Sequence, residues 1–162
     1  EKESGMELDW YFEYFMNTTK TIDYGIYEIN KNEDGTQILL KKGEMPMPVE
    51  FDVVLKNGGV SKYYIPTVLM RGEKVVEPTV NVLPDWAWTN PYYSVKLEHK
   101  ASDIAEIQLH TSGHIADVEP LNDKVIIPKN WNWSKHKLKL QIIEKKKKYK
   151  LQKFAKIKKV AR

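Results

Sequence analysis

The chain has 162 residues, 41% of them hydrophobic, which is enough for one domain whose core needs no disulfide or structural metal. It contains no cysteine, so disulfides, thiolate metal sites and cysteine catalysis are excluded. Residues 129–162 hold 14 of the 26 Lys and Arg residues but only one of the 22 acidic residues, so an acidic body is followed by a basic tail.

The first predicted element is an aromatic helix. Ser4 and Glu7 have the spacing of a capping box, which predicts that the helix begins near Gly5. Large apolar side chains then recur at helical spacing on one face, at Leu8, Tyr11, Phe12 and Phe15. The polar residues 17–19 predict the end of the helix. A single helix cannot cover such a face by itself, so we expect the face to contact a larger partner.

After the helix, apolar residues alternate with a period of two and predict strands. The predicted strands are 22–26, 37–40, 49–53, 60–65, 75–83, 93–98 and 105–110. Asn57-Gly58-Gly59 provides the positive-φ positions of a tight hairpin between two of them. Short strands with turns at this spacing predict an antiparallel β-sandwich.

Seven short segments of the chain carry a family resemblance. They are 4–12, 17–24 (NTTKTIDY), 45–49 (MPMPV), 64–66 (YIP), 70–73 (MRGE), 85–88 (DWAW) and 116–118 (ADV). Their order and spacing resemble the end of the catalytic domain and the following β-sandwich in the aminopeptidase N family of zinc metallopeptidases. The likeness is closest to the branch common in Bacteroidetes, and it covers about residues 3–125.

The resemblance implies an organisation in three parts. Residues 1–19 are expected to be the terminal helix of an upstream catalytic domain, residues 20–126 an immunoglobulin-like β-sandwich, and residues 127–162 a basic extension that is disordered or partly helical. The sequence begins with Glu1 rather than Met, and we expect it to be part of a longer protein. The resemblance further implies a bacterial protein of the periplasm or cell envelope.

The resemblance also implies an accessory rather than a catalytic role. The family's activity depends on zinc held by H-E-x-x-H and a downstream Glu, because two His residues one helical turn apart share the metal and the intervening Glu activates its water. The sequence contains no such motif, so we expect no catalytic residue, metal ligand or cofactor in this chain, and zinc only in the catalytic domain. We expect the β-sandwich to pack on that domain and to influence the peptide substrate only indirectly.

Five aromatic residues are the candidates for this interdomain contact: Tyr11, Phe12, Phe15, Trp86 and Trp88. Trp86 and Trp88 belong with Tyr92 and Tyr93 to an aromatic cluster, for which core packing plus interdomain contact is the favoured interpretation. The alternative is a free-standing module that binds sugars or peptides on Trp86, Trp88 and Tyr92. An exposed aromatic helix is also expected to promote self-association of the isolated chain.

Two further patterns resemble metal sites but are interpreted otherwise. His110 and His114 are spaced i, i+4, yet they flank the end of a predicted strand, where their rings do not converge, and no third ligand is close in the sequence. Residues 30–35 resemble the start of a calcium loop, but Lys41 stands where a bidentate acid is required. A plain turn is therefore predicted.

The basic tail offers a function of another class. Leu151, Phe154, Ile157 and Val160 recur every third residue and predict a basic amphipathic helix, which could bind an anionic membrane or nucleic acid. A solvated extension without a specific partner is the other interpretation, because the basic residues are nearly all Lys and no base-reading motif accompanies them.

Overall fold

The computed structural model describes residues 1–33, 35–72 and 74–128. The predicted basic tail lies outside the described residues from position 129 onward. Within these ranges the fold is mainly β, with one α-helix, α1 (Asp9–Asn17), one 3-10 helix (Val68–Met70) and eight strands. Neither of these helices has the length and apolar character that crossing a membrane requires.

The strands form two open sheets. Their bounds are β1 (Tyr24–Asn32), β2 (Gly35–Lys42), β3 (Val49–Leu55), β4 (Val60–Ile65), β5 (Val80–Val82), β6 (Tyr92–Leu97), β7 (Ile104–Leu109) and β8 (Lys124–Ile126). One sheet has the order β1-β2-β6 and the other the order β5-β4-β3-β7-β8. Neighbouring strands are antiparallel except β4 and β5, which are parallel. The prediction of a mainly β fold is therefore confirmed, and the larger sheet is mixed.

Both sheets contribute side chains to one hydrophobic core. Along β3 burial alternates, so that Val49, Phe51 and Val53 are buried while the residues between them are partly exposed. Ile38 and Leu40 of β2 belong to the same buried cluster. Because apolar residues of both sheets lie in one cluster, burial of this core holds the two sheets together.

Helix α1 begins later than the sequence predicted. Glu7 does not form a capping box with Ser4, because its carboxylate pairs with Arg71 Nη1 at 3.1 Å and the helix has no side-chain cap. The chain makes a turn at Gly5 instead, where φ is 65° and the backbone N–H donates to the Glu1 carbonyl. The helix therefore starts at Asp9 rather than near Gly5.

The strand predictions differ from the structure in three main places. Strand β1 was predicted as residues 22–26 but spans Tyr24–Asn32, because it pairs with β2 over most of that length. Of the predicted segment 75–83, only Val80–Val82 is a strand, because it pairs with no more than Lys62 to Tyr64 of β4. Strand β8 was not predicted, since three residues are too few to show a period. The predicted turn near residue 34 is confirmed, because residues 30–32 pair directly with 35–37 and leave no calcium loop.

The hydroxyl of Tyr24 provides a test of what stabilises this fold. It is buried, accepts the Met47 N–H at 2.7 Å and donates to the Met47 carbonyl at 3.1 Å. Tyr24→Phe keeps the ring but leaves the Met47 N–H without its acceptor, so we expect the free energy of unfolding in urea to fall by about 1–3 kcal/mol. Tyr92→Phe, in a side chain that is 40% exposed, is the matched control and should change it by less than about 0.5 kcal/mol. Equal losses in the two variants would contradict this account.

Candidate functional site

The aromatic residues of α1 divide into two groups. Trp10 and Tyr14 are partly buried and pack against the core. The other face carries four side chains that are 36–77% exposed, and we call them the aromatic surface: Tyr11, Phe12, Phe15 and Met16. The Tyr11 ring contacts the other two rings, with centroid distances of 4.3 Å to Phe15 and 5.8 Å to Phe12. Three of the five predicted contact residues thus lie together at the surface.

The two tryptophans of that prediction have different environments. Trp86 is only 3% exposed, its Nε1 donates to the Asn90 carbonyl at 2.8 Å, and its ring lies edge-on to the Tyr24 ring at 5.4 Å. Trp88 is 49% exposed. Trp86 therefore packs in the core, and core packing was part of the favoured interpretation of the aromatic cluster. Trp88 has an exposed surface that a partner could contact.

A cavity of about 260 Å³ lies between the N-terminal segment and the five-stranded sheet. Its wall is mostly apolar and includes Leu8, Trp10, Met47 and Met70. His110 also lines it. This histidine belongs at the same time to a polar cluster beneath the surface, and so connects the two features.

The polar cluster, which we call the buried cluster, consists of His110, Asp117 and Asp123. One potential ligand atom from each residue lies within 4.8 Å of those of the other two. His110 Nε2 is 3.9 Å from Asp117 Oδ2, and both side chains are only 4% exposed. The fold assembles these residues from the end of β7 and from the segment that leads into β8.

Backbone contacts hold the cluster in place. Asp117 Oδ2 accepts the Tyr24 N–H at 2.7 Å, and Asp117 Oδ1 accepts the Glu119 N–H at 2.8 Å. His110 has a φ of 53°, a left-handed conformation that His adopts more readily than most residues, and its N–H donates to the Glu50 carbonyl at 2.8 Å. Asp117 is therefore oriented by two donors before it binds anything else.

The side-chain atoms that face inward are incompletely satisfied. Among the described residues, neither ring nitrogen of His110 has a hydrogen-bond partner, and the same holds for Asp123 Oδ1 and Asn122 Oδ1. A buried polar atom without a partner costs about 1–3 kcal/mol, so several at one place need an explanation.

Burial also shifts the protonation equilibria of the cluster. It raises the pKa of Asp123 to about 7, and the negative charges of Asp117, Asp23 and Glu119 add to that rise. Burial lowers the pKa of the His110 ring, although Asp117 and Glu50 oppose this. A neutral imidazole thus lies beside carboxyl groups that repel one another's charge, and such an arrangement can bind a proton or a cation.

The buried cluster was found only in part from the sequence. The sequence singled out His110, but with His114, which is exposed and is not a member of the cluster. Asp117 and Asp123 escaped notice because they have no spacing typical of a metal motif. The one available signal was that several acidic residues precede the short apolar segment of β8, a pattern shared by many surface turns.

Comparisons of the chain with protein-family models, curated proteins and solved structures find no match. The family resemblance of the sequence therefore stays a prediction.

The raised pKa of Asp123 predicts a dependence of stability on pH. A carboxyl group whose pKa is about 7 when folded and near 3.8 when unfolded binds its proton more tightly in the folded state. Its contribution to the free energy of unfolding is complete below about pH 4 and is lost as the pH rises to about 7. In urea unfolding with a chelator present, we expect Asp123→Asn to reduce this loss. Asp103 is exposed, so Asp103→Asn should show the same pH dependence of the free energy of unfolding as the wild type. Identical pH profiles for all three proteins would refute the prediction.

Proposed function

We propose that this chain is a non-catalytic accessory domain of a zinc-dependent, aminopeptidase-like metallopeptidase, and that the aromatic surface docks it onto the catalytic domain of the same protein. The single observation that carries the proposal is the exposure of Phe12 and Phe15 on a helix whose opposite face is already packed. The resemblance of the sequence supplies the identity of the partner. On the same basis we propose that the two sheets form an immunoglobulin-like sandwich.

Several contacts fix the helix that carries the aromatic surface. The Glu7 N–H donates to the Met70 carbonyl at 2.8 Å, and the Glu7 carboxylate pairs with Arg71. Trp10 Nε1 donates to the Glu7 carbonyl at 2.9 Å and thereby closes the first turn. A surface that is already ordered loses little conformational entropy on binding, which favours docking.

Covering the exposed rings would contribute favourable free energy to docking. Burying a fully exposed large apolar side chain contributes about 1.5–3 kcal/mol. Tyr11, Phe12 and Phe15 are roughly half exposed, so covering them contributes on the order of 1 kcal/mol each. Single exposed apolar residues are common on proteins, but rings in mutual contact form a patch of the kind that marks an interaction site.

The alternative of a sugar- or peptide-binding module has less support. It requires Trp86, Trp88 and Tyr92 to offer ring faces to one ligand, and the burial of Trp86 removes one of the three. The alternative of membrane or nucleic-acid binding concerns residues 129–162, which lie outside the described residues. Docking through α1 is therefore the function that the described contacts favour.

The proposal predicts that the aromatic surface contributes to thermal stability in the full-length gene product but not in the isolated chain. The double variant Phe12→Ser/Phe15→Ser of the full-length protein should lower the midpoint of thermal inactivation of its zinc-dependent aminopeptidase activity by several degrees, because it weakens interdomain packing by about 2 kcal/mol. In the isolated chain, the same double variant should leave the thermal midpoint nearly unchanged and should reduce self-association in sedimentation experiments.

Val60→Ser is the matched control, since Val60 is 52% exposed at the hairpin end of β4. It should have no effect in either context. The proposal fails if the coding sequence upstream of Glu1 contains no H-E-x-x-H with a downstream Glu, or if the full-length protein does not hydrolyse aminoacyl substrates in a chelator-sensitive way. Equal effects of the double variant on both proteins would contradict the docking role.

A further inference from the structure

We propose that His110, Asp117 and Asp123 form a binding site for a divalent transition-metal cation such as Zn²⁺. This site is independent of the docking function proposed above and uses none of the residues of the aromatic surface. It departs from the expectation, drawn from the sequence, that this chain contains no metal ligand.

The chemistry of the donor atoms selects the class of cation. The cluster offers one imidazole nitrogen and two carboxylates, a donor set that suits Zn²⁺ and related first-row cations. Ca²⁺ and Mg²⁺ prefer shells made of oxygen ligands alone, so a histidine at the centre of the site disfavours them. Three protein ligands leave the fourth tetrahedral position for a water molecule.

The distances allow the three groups to close around one ion. Ligands about 2.0–2.1 Å from a tetrahedral Zn²⁺ are separated by roughly 3.4 Å. His110 Nε2 and Asp117 Oδ2 are 3.9 Å apart, and the whole set lies within 4.8 Å. A contraction of this size is within the reach of side-chain rotations. Asp117 has the most fixed position, because two backbone N–H groups donate to its carboxylate. Hydrogen bonds of this kind commonly orient the ligands of a metal ion.

The histidine is the observation that distinguishes this cluster from an ordinary group of acidic residues. Its side chain is 96% removed from solvent, since only 4% is exposed, and neither ring nitrogen has a hydrogen-bond partner among the described residues. A carboxyl pair that shares a proton would account for the proximity of Asp117 and Asp123. It would leave both nitrogens of His110 unsatisfied, whereas a bound cation engages one of them directly.

The charge balance also favours a cation. Two carboxylates at this separation repel each other, and burial strengthens the repulsion because the local dielectric constant is low. A divalent cation neutralises both charges while the neutral imidazole adds a ligand without adding charge. The ring of Tyr24 lies edge-on to His110 at a centroid distance of 5.9 Å and forms an apolar wall on one side of the ligand.

The test uses the whole chain, stripped with a chelator and then titrated with Zn²⁺ by calorimetry at slightly alkaline pH. We expect one Zn²⁺ per chain, a thermal midpoint raised by several degrees at saturation, and visible absorption bands of a low-symmetry site when Co²⁺ replaces Zn²⁺. Asp123→Asn and His110→Asn should each weaken Zn²⁺ binding by about tenfold or more. Asn is chosen at both positions because it is isosteric with Asp and tolerates the left-handed backbone of residue 110.

His114→Asn and Asp103→Asn are the matched controls, because both side chains are exposed and lie outside the cluster. They should bind Zn²⁺ like the wild type. Circular dichroism in chelator verifies that each variant is folded, and Asp123→Asn decides the matter should His110→Asn unfold. Unchanged affinity in folded Asp123→Asn, or no binding by the wild type, would overturn the proposal. Stabilisation by Ca²⁺ equal to that by Zn²⁺ would overturn the assignment of His110 as a ligand.

Discussion

The fold depends most on the environment of Tyr24, the first residue of β1. Its N–H donates to Asp117, its hydroxyl bonds to the backbone at Met47, and its ring touches those of Trp86 and His110. One side chain thereby connects the start of the smaller sheet, the loop before β3, the core and the buried cluster. Because these partners are distant in sequence, Tyr24 reaches them together only in the folded chain.

The sequence predicted those features that depend on local patterns. Alternation from Val49 to Val53 and the Asn57-Gly58-Gly59 turn correspond to β3 and its hairpin with β4, since period and turn chemistry are local properties. The predicted start of α1 was wrong, because the Glu7 carboxylate pairs with Arg71, which is 64 positions away in the chain. Capping rules consider only residues that are close in sequence, so they do not include this ion pair.

The two candidate sites also differ in whether local sequence patterns could predict them. The aromatic surface could be anticipated, because Tyr11, Phe12 and Phe15 share a helical face whatever the tertiary structure is. The buried cluster could not, because the pairing of β7 with β8 brings Asp123 to His110, while Asp117 is held by its bridge to Ile22 and by the Tyr24 N–H. Proximity of this kind is decided by topology, and the separate segments carry no signal of it.

The position of α1 strengthens the argument that its exposed rings serve a partner. A nine-residue helix is marginal by itself, so tertiary contacts must stabilise it. Trp10 and Tyr14 provide these contacts on one face, and the bonds of Glu7 to Met70 and Arg71 fix its beginning. Phe12 and Phe15, by contrast, are 56% and 45% exposed, and an exposed patch of rings in mutual contact is typical of an interaction site. The exposed parts of both rings are accounted for when another surface covers them.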